Sequence, residues 1–127
     1  MDLVGPIYSG AAVGANGSAT ASAATDHLIA GEVTAIYIEY LDSPPAGTTD
    51  VTVRTKGTAP APPTQTLLAV ANAATSGWFY PQVPLHLAST GAAIADWYGC
   101  PVVYDLIEVV IAQANAGDGV NVWLIIE

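Results

Sequence analysis

The C-terminal segment from Asp105 to Glu127 constrains the fold more than any other part of the chain. It reads DLIEVVIAQANAGDGVNVWLIIE, in which two apolar, β-branched runs are joined by NAGDG. Asn, Asp and Gly tolerate the positive φ angles of tight turns, so this composition predicts a β-hairpin. The residues predicted to line one face of its last strand are Val120, Val122, Leu124 and Ile126.

Period-two alternation predicts further strands upstream. In EVTAIYIEYL, from Glu32 to Leu41, β-branched and aromatic residues dominate. Its predicted faces are Ile36, Ile38 and Tyr40 on one side, and Tyr37 and Glu39 on the other. In VTVRTK, from Val51 to Lys56, the first, third and fifth residues face one way, which places Arg54 and Lys56 together on an outer face. Arg54 and Glu39 are candidates for a cross-strand ion pair.

Small residues and prolines shape the remaining segments. SATASAAT, from Ser18 to Thr25, predicts a strand that lies close to a neighbour, and residues 1–16 predict either an edge strand or a flexible N-terminal arm. The proline-rich stretch from Thr58 to Gln65 predicts an exposed connection, and the prolines after Tyr80 restrict any strand there to an edge or a bulge. For residues 88–95 a short helix is the alternative to extended chain.

About seven or eight short strands, separated by turn signals roughly every ten residues, predict an all-β fold. The expected architecture is a single antiparallel β-sandwich spanning residues 1–127, with jelly-roll or Ig-like connectivity.

The charge balance restricts the partners. Eleven carboxylates against two basic residues give a net charge of −9, which disfavours nucleic acid and anionic membrane surfaces. Only 10% of the residues are charged, so the surface must either be solvated by Thr, Ser, Asn and Gln or be partly covered by other subunits, in a homo-oligomer. The N-terminus lacks the basic and apolar regions of a signal peptide, and no apolar run approaches the roughly 18 residues of a membrane span, which predicts synthesis in a cytoplasm.

No catalytic signature is present in the sequence. His27 and His86 are the only histidines, no GxSxG nucleophile elbow occurs, and both histidines are expected at the surface or at strand edges. Most carboxylates are expected to cap backbone groups in turns, and those in or beside predicted turns are Asp26, Asp42, Asp50, Asp96, Asp105 and Asp118. The loop from Asp42 to Asp50 is a weak candidate for Ca²⁺, because it lacks the D-x-D-x-D-G pattern. We therefore predict a non-enzymatic protein with no catalytic residues, no cofactor and no resident metal.

Aromatic residues are the main candidates for a binding surface. They are Trp78, Phe79, Tyr80, Trp97 and Tyr98. Such a group is compatible with three roles: packing in the core, contact between subunits, and stacking against the rings of a carbohydrate.

The segments GSATASAATDHLIAGEVTAIYIEYLDSPPAGTTDVTV and IAQANAGDGVNVWLIIE resemble small virion proteins of tailed bacteriophages. The resemblance spans most of the chain and includes GTTDVTV after a Pro/Gly loop and GWFYP, none of which is a catalytic motif. It implies a capsid decoration or cement protein: a β-sandwich, commonly trimeric, that binds the major capsid protein on the outer capsid surface after synthesis in the host cytoplasm. It identifies no functional residues. The alternatives are a carbohydrate-binding or adhesion module and a component of a tail or fibre.

Overall fold

The computed structural model describes residues 1–42, 46–58 and 63–127, and these residues form eleven β-strands and no helix. The strands are β1 (Asp2–Tyr8), β2 (Ala19–Ala24), β3 (Ile29–Tyr40), β4 (Asp50–Thr55), β5 (Thr66–Val70), β6 (Gly77–Phe79), β7 (Val83–His86), β8 (Ala93–Gly99), β9 (Val102–Asp105), β10 (Ile107–Ala114) and β11 (Val120–Ile126). The prediction of an all-β, antiparallel fold is confirmed. The expected seven or eight strands were too few, because the segment between β5 and β10 contains four strands, three of them only three or four residues long.

Two larger sheets and one small sheet contain these strands. The first sheet has the order β1-β11-β3-β6, and β9 also pairs with β3. The second sheet has the order β2-β10-β4-β5, and β7 and β8 form a separate two-stranded sheet, which we call the β7–β8 hairpin. β1 lies at an edge of the first sheet, so this part of the N-terminal segment is an edge strand.

One hydrophobic core is lined by both larger sheets. Ile36 and Leu124 lie on the first sheet, Val53 and Val109 lie on the second, and all four are fully buried. They belong to one continuous cluster, an arrangement consistent with a β-sandwich. Burial of each side chain of this size contributes about 1.5–3 kcal/mol, so this inner layer is the main source of stability.

The predicted terminal hairpin does not form, although both of its strands do. β10 pairs with β2 and β4, whereas β11 pairs with β1 and β3, so the two strands lie in different sheets and NAGDG crosses between them. Both strands turn their alternate apolar residues toward the same core, as the pattern required. A turn of this composition reverses the chain equally well within one sheet or between two, and alternation alone does not distinguish the cases.

The other strand predictions are largely confirmed. β2 lies within the predicted small-residue strand, and β3 has Ile36 and Ile38 on its buried face, with Tyr37 and Glu39 half-buried on the other. β3 begins at Ile29, three residues before the predicted start at Glu32, because its first residues pair with β9. The short helix considered within residues 88–95 is wrong, since turns and β8 occupy that segment.

Arg54 pairs with Glu108 of β10 and not with Glu39. The Arg54 Nη2 to Glu108 Oε1 distance is 2.8 Å, and the two residues lie opposite each other in the β10–β4 register. Glu39 belongs to the first sheet and Arg54 to the second, so the candidate cross-strand pair was wrong. The alternation in the sequence predicted which face of its strand each residue occupies, but not the sheet to which the strand belongs.

Candidate functional site

The fold places the five candidate aromatic residues in different environments. Trp78 lies on the outer side of β6, while Phe79 packs against the core and Tyr80 is exposed beyond the strand. Trp97 and Tyr98 lie on β8, in the separate β7–β8 hairpin. The five residues lie in two short runs of the sequence. Within a run, neighbouring residues point to opposite faces of a strand, and the two runs belong to different sheets.

Trp78 instead joins residues from three other strands on the outer face of the first sheet. Leu3, Tyr37, Trp78 and Trp123 line a shallow depression of about 260 Å³, which we call the aromatic face. The Tyr37 ring centroid lies 5.1 Å from that of Trp78 and 5.9 Å from that of Trp123, with interplanar angles of 58° and 53°. Tilted rings at these separations attract each other through their quadrupoles.

Strand register explains why these rings meet. Tyr37 of β3 lies opposite Trp78 of β6 on one side and opposite Trp123 of β11 on the other. All three side chains point away from the core because their neighbours in sequence point into it. The alternation in the sequence predicted that Tyr37 lies on the face of its strand opposite Ile36 and Ile38. The cluster itself was not predicted, because the alternation of residues within one strand does not show which strands are neighbours in the sheet.

Gly5 allows β1 to lie close to Trp123. Its φ is +130°, and a Cβ atom there would lie 2.7 Å from the carbonyl oxygen of Val122 and 3.0 Å from Trp123 Cδ1. The register of β1 against β11 shifts between Val4 and Ile7, so the strand bulges at this glycine. Glycine is required here both for its conformation and for the space.

A polar pair adjoins the aromatic face. Glu39 and Asn121 lie opposite each other in the β3–β11 register, two residues along each strand from Tyr37 and Trp123, and therefore on the same outer face. Asn121 Nδ2 donates a weak hydrogen bond to Glu39 Oε1 over 3.4 Å, and both residues are half-buried. The outer face of the first sheet thus carries partly exposed aromatic rings, with the carboxylate of Glu39 and the amide of Asn121 beside them.

The β7–β8 hairpin is a second exposed apolar surface. Leu85, Leu87, Trp97 and Tyr98 are all 40% exposed or more, and no residue of the core cluster lies in this hairpin. Its hydrogen bonds close its own turn: the Leu87 amide donates to the Ala92 carbonyl, and His86 Nδ1 lies 2.8 Å from the Gly91 carbonyl oxygen. The hairpin therefore presents apolar side chains that residues 1–42, 46–58 and the rest of 63–127 leave uncovered.

The two histidines lie in unrelated surroundings. His27 Nδ1 is 2.6 Å from Asp26 Oδ1 in the turn before β3, and the side chains are exposed. Hydrogen bonding and charge attraction from His27 lower the pKa of Asp26. His86 lies on β7, and its Nδ1 is 2.8 Å from the carbonyl oxygen of Gly91. Within the described part of the chain, neither histidine is hydrogen-bonded to a serine hydroxyl.

Four of the predicted turn carboxylates hold backbone N–H groups. Asp42 accepts a hydrogen bond from Gly119, Asp50 accepts one from Asn72, and Asp118 accepts two, from Ala46 and Asn115. The fourth, Asp105, is buried and accepts three. Binding of local backbone groups is confirmed for the bonds from Leu106 to Asp105 and from Asn115 to Asp118, whereas the other amide partners lie 22 or more residues away in the chain.

The loop considered as a Ca²⁺ site lies partly outside the described residues, because 43–45 are not among them. Residues 59–62 of the proline-rich connection also lie outside the described residues. In the described ranges no group of three or more His, Cys, Asp or Glu residues is placed to hold a metal ion. The same ranges contain no helix suited to crossing a bilayer.

Among known proteins, no family model matches the chain, and no curated protein or solved structure is significantly similar to it.

Proposed function

We propose that this protein is a capsid decoration (cement) protein, which binds the outer surface of a tailed-phage capsid and bridges subunits of the major capsid protein. The observation that carries the proposal is the β7–β8 hairpin, whose apolar side chains are 40% exposed or more and are not covered by the other described residues. Large apolar surfaces that project from a protein are typical of contacts with other subunits. The hairpin is accordingly the part that inserts between capsid subunits.

We further propose that the two larger sheets form a single β-sandwich of the jelly-roll type. The antiparallel pairs are nested along the chain: β1 with β11, β2 with β10, β3 with β9, and β4 with β5. A long hairpin that rolls up so that β11 also pairs with β3, and β10 with β4, has the connectivity of a jelly roll. Viral capsid proteins use this fold, which supports a virion role without establishing one.

The charge of the chain supports a position on the outside of the capsid. At −9 it would be repelled by packaged DNA, which favours the outer surface over the lumen. The value of −9 already includes the two basic residues, and one of these, Arg54, is paired with Glu108.

The mechanism is mechanical. Each hairpin that packs between neighbouring capsid subunits buries apolar area on both, and the shell must lose that area before it opens. A homotrimer would present three hairpins around its axis, so that one decoration unit joins several capsid subunits with increased avidity.

The test uses capsids stripped of this protein. Re-addition of the full chain should raise the temperature at which the shells release DNA, and Leu87→Ser should weaken both binding and this protection. Leu28→Ser is the matched control, because Leu28 is 49% exposed outside the hairpin and Leu87 is 47% exposed within it. Equal release temperatures for bare and decorated shells would refute the proposed role.

A further inference from the structure

We propose that the aromatic face is a binding site for neutral hexopyranose units of a polysaccharide. This is a second function, distinct from attachment to a capsid. It uses the outer face of the first sheet, whereas capsid binding is proposed for the β7–β8 hairpin. Four strands hold the site, so its side chains are fixed before any ligand arrives, and little ordering entropy is lost on binding.

The aromatic rings match the apolar face of a sugar ring. Trp78 is 50% exposed although its ring centroid lies 5.1 Å from that of Tyr37, so about half of its surface is accessible to a ligand. Trp123 flanks Tyr37 from the opposite strand, which extends the platform across the sheet. A pyranose presents C–H groups on one face, and these stack on an aromatic ring with little cost in dehydration.

The polar pair matches the hydroxyl rim of the same sugar. Glu39 and Asn121 lie about 7 Å along their strands from Tyr37 and Trp123, roughly the width of one pyranose ring, since two residues of a strand span that length. Their mutual hydrogen bond, at 3.4 Å, is long enough that sugar hydroxyls can replace it with shorter bonds. A carboxylate and an amide together supply acceptors and donors, as hydroxyl groups require.

The charge of the site selects the kind of sugar. Glu39 contributes a negative charge at the edge of the face, and the chain as a whole carries −9. Sialylated, sulfated and uronic-acid glycans would be repelled by both. The site therefore fits uncharged glucose-, galactose- or N-acetylhexosamine-containing chains.

The experiment measures binding of the full chain to neutral oligosaccharides, namely maltoheptaose, cellohexaose, galacto-oligosaccharides and chitohexaose, on an array and by titration. At least one should bind, and Trp78→Ala should lower its affinity about tenfold or more, as removal of a central aromatic anchor does. Glu39→Gln is the second variant, conservative in shape, and should lower affinity while the circular dichroism spectrum is unchanged. Trp97→Ala is the matched control: Trp97 is 64% exposed but lies on the β7–β8 hairpin, so its removal should leave sugar binding intact.

Three results would overturn the inference. The first is the absence of binding to every neutral oligosaccharide tested. The second is loss of binding in Trp97→Ala with retention in Trp78→Ala, which would move the site to the hairpin. The third is a fall in the mass of an oligomer when Trp78 is removed, with no sugar binding by the unchanged chain, which would make the face a contact between copies. None of these results depends on capsid binding, so the two proposals fail separately.

Discussion

At the scale of single residues, Asp105 connects the two sheets through its carboxylate. Asp105 is 1% exposed and ends β9, a strand of the first sheet. Its Oδ2 accepts a hydrogen bond from the Gly57 amide at 2.6 Å, and its Oδ1 accepts bonds from Leu106 at 2.7 Å and Thr58 at 3.3 Å. Gly57 follows β4 of the second sheet, so one carboxylate fixes the corner where the chain leaves each sheet.

We expect Asp105→Asn to lower the free energy of unfolding by about 1.5–3 kcal/mol, because hydrogen bonds to a charged acceptor are the stronger kind and an amide NH₂ would face backbone donors. Urea denaturation at pH 7 measures the change. Asp96→Asn is the control: Asp96 is exposed, and its φ of 64° is one that asparagine tolerates, so its effect should stay within about 0.5 kcal/mol. Similar losses in both variants would contradict the capping role.

Tyr40 gives a residue-scale prediction about pH. Its hydroxyl is buried and has no hydrogen-bond partner among the described residues. Burial, and then the negative charge of Asp50, raise its pKa above 10.0. As the pH rises through 10, the unfolded phenol ionises while the folded one stays neutral, so stability falls until the folded pKa is reached.

Tyr40→Phe should therefore reduce this alkaline loss of stability, and at pH 7 it should leave stability unchanged or raise it by up to about 1 kcal/mol, since an unpaired buried hydroxyl is removed. Thermal unfolding followed from pH 7 to pH 11 tests both expectations. Tyr104→Phe, at an exposed ring on β9, supplies the comparison. If Tyr40→Phe loses stability at pH 7 while Tyr104→Phe does not, the hydroxyl has a favourable interaction after all.

At the scale of strands, the sequence predicted which residues face inward but not which strands are neighbours. Ile36, Ile38 and Val53 are buried as their alternation required, because apolar burial acts on each strand separately. The pairing of β10 with β2 and β4, and the meeting of Tyr37 with Trp78 and Trp123, depend on contacts far apart in the chain. Local patterns contain no information about those contacts, so the aromatic face was not predictable. The partners of the aspartates were not predictable for the same reason: Asp42, Asp50 and Asp105 accept hydrogen bonds from amides 77, 22 and 48 residues away in the chain, although their places beside turns were predicted.

Local stability should differ sharply between strands. β10 and β11 are central in their sheets and contribute buried residues to the core, whereas the β7–β8 hairpin contributes none. In the free protein, amide hydrogen exchange should be slowest in β10 and β11 and much faster in the hairpin, because opening the hairpin exposes little apolar area. On capsids, the hairpin amides should become protected. Equal protection of the hairpin in dilute free protein would show that it is already covered.

At the scale of the whole molecule, a net charge of −9 and uncovered apolar surfaces act against each other during self-association. Like charges repel approaching copies over a distance set by the Debye length, about 10 Å at 0.1 M salt and 3 Å at 1 M. Apolar contact between copies is not screened by salt, and kosmotropic salts strengthen it. Higher salt should therefore favour the homotrimer.

Sedimentation velocity at 0.05 M and 0.5 M NaCl tests this balance. We expect a shift toward three times the 12.9 kDa monomer mass at the higher salt, if the proposed homotrimer forms through apolar contacts. Chloride is chosen because sulfate would also strengthen apolar contacts, so that charge screening and stronger apolar contact could not be separated. Dissociation at high salt would mean that ion pairs, and not apolar contacts, hold the copies together.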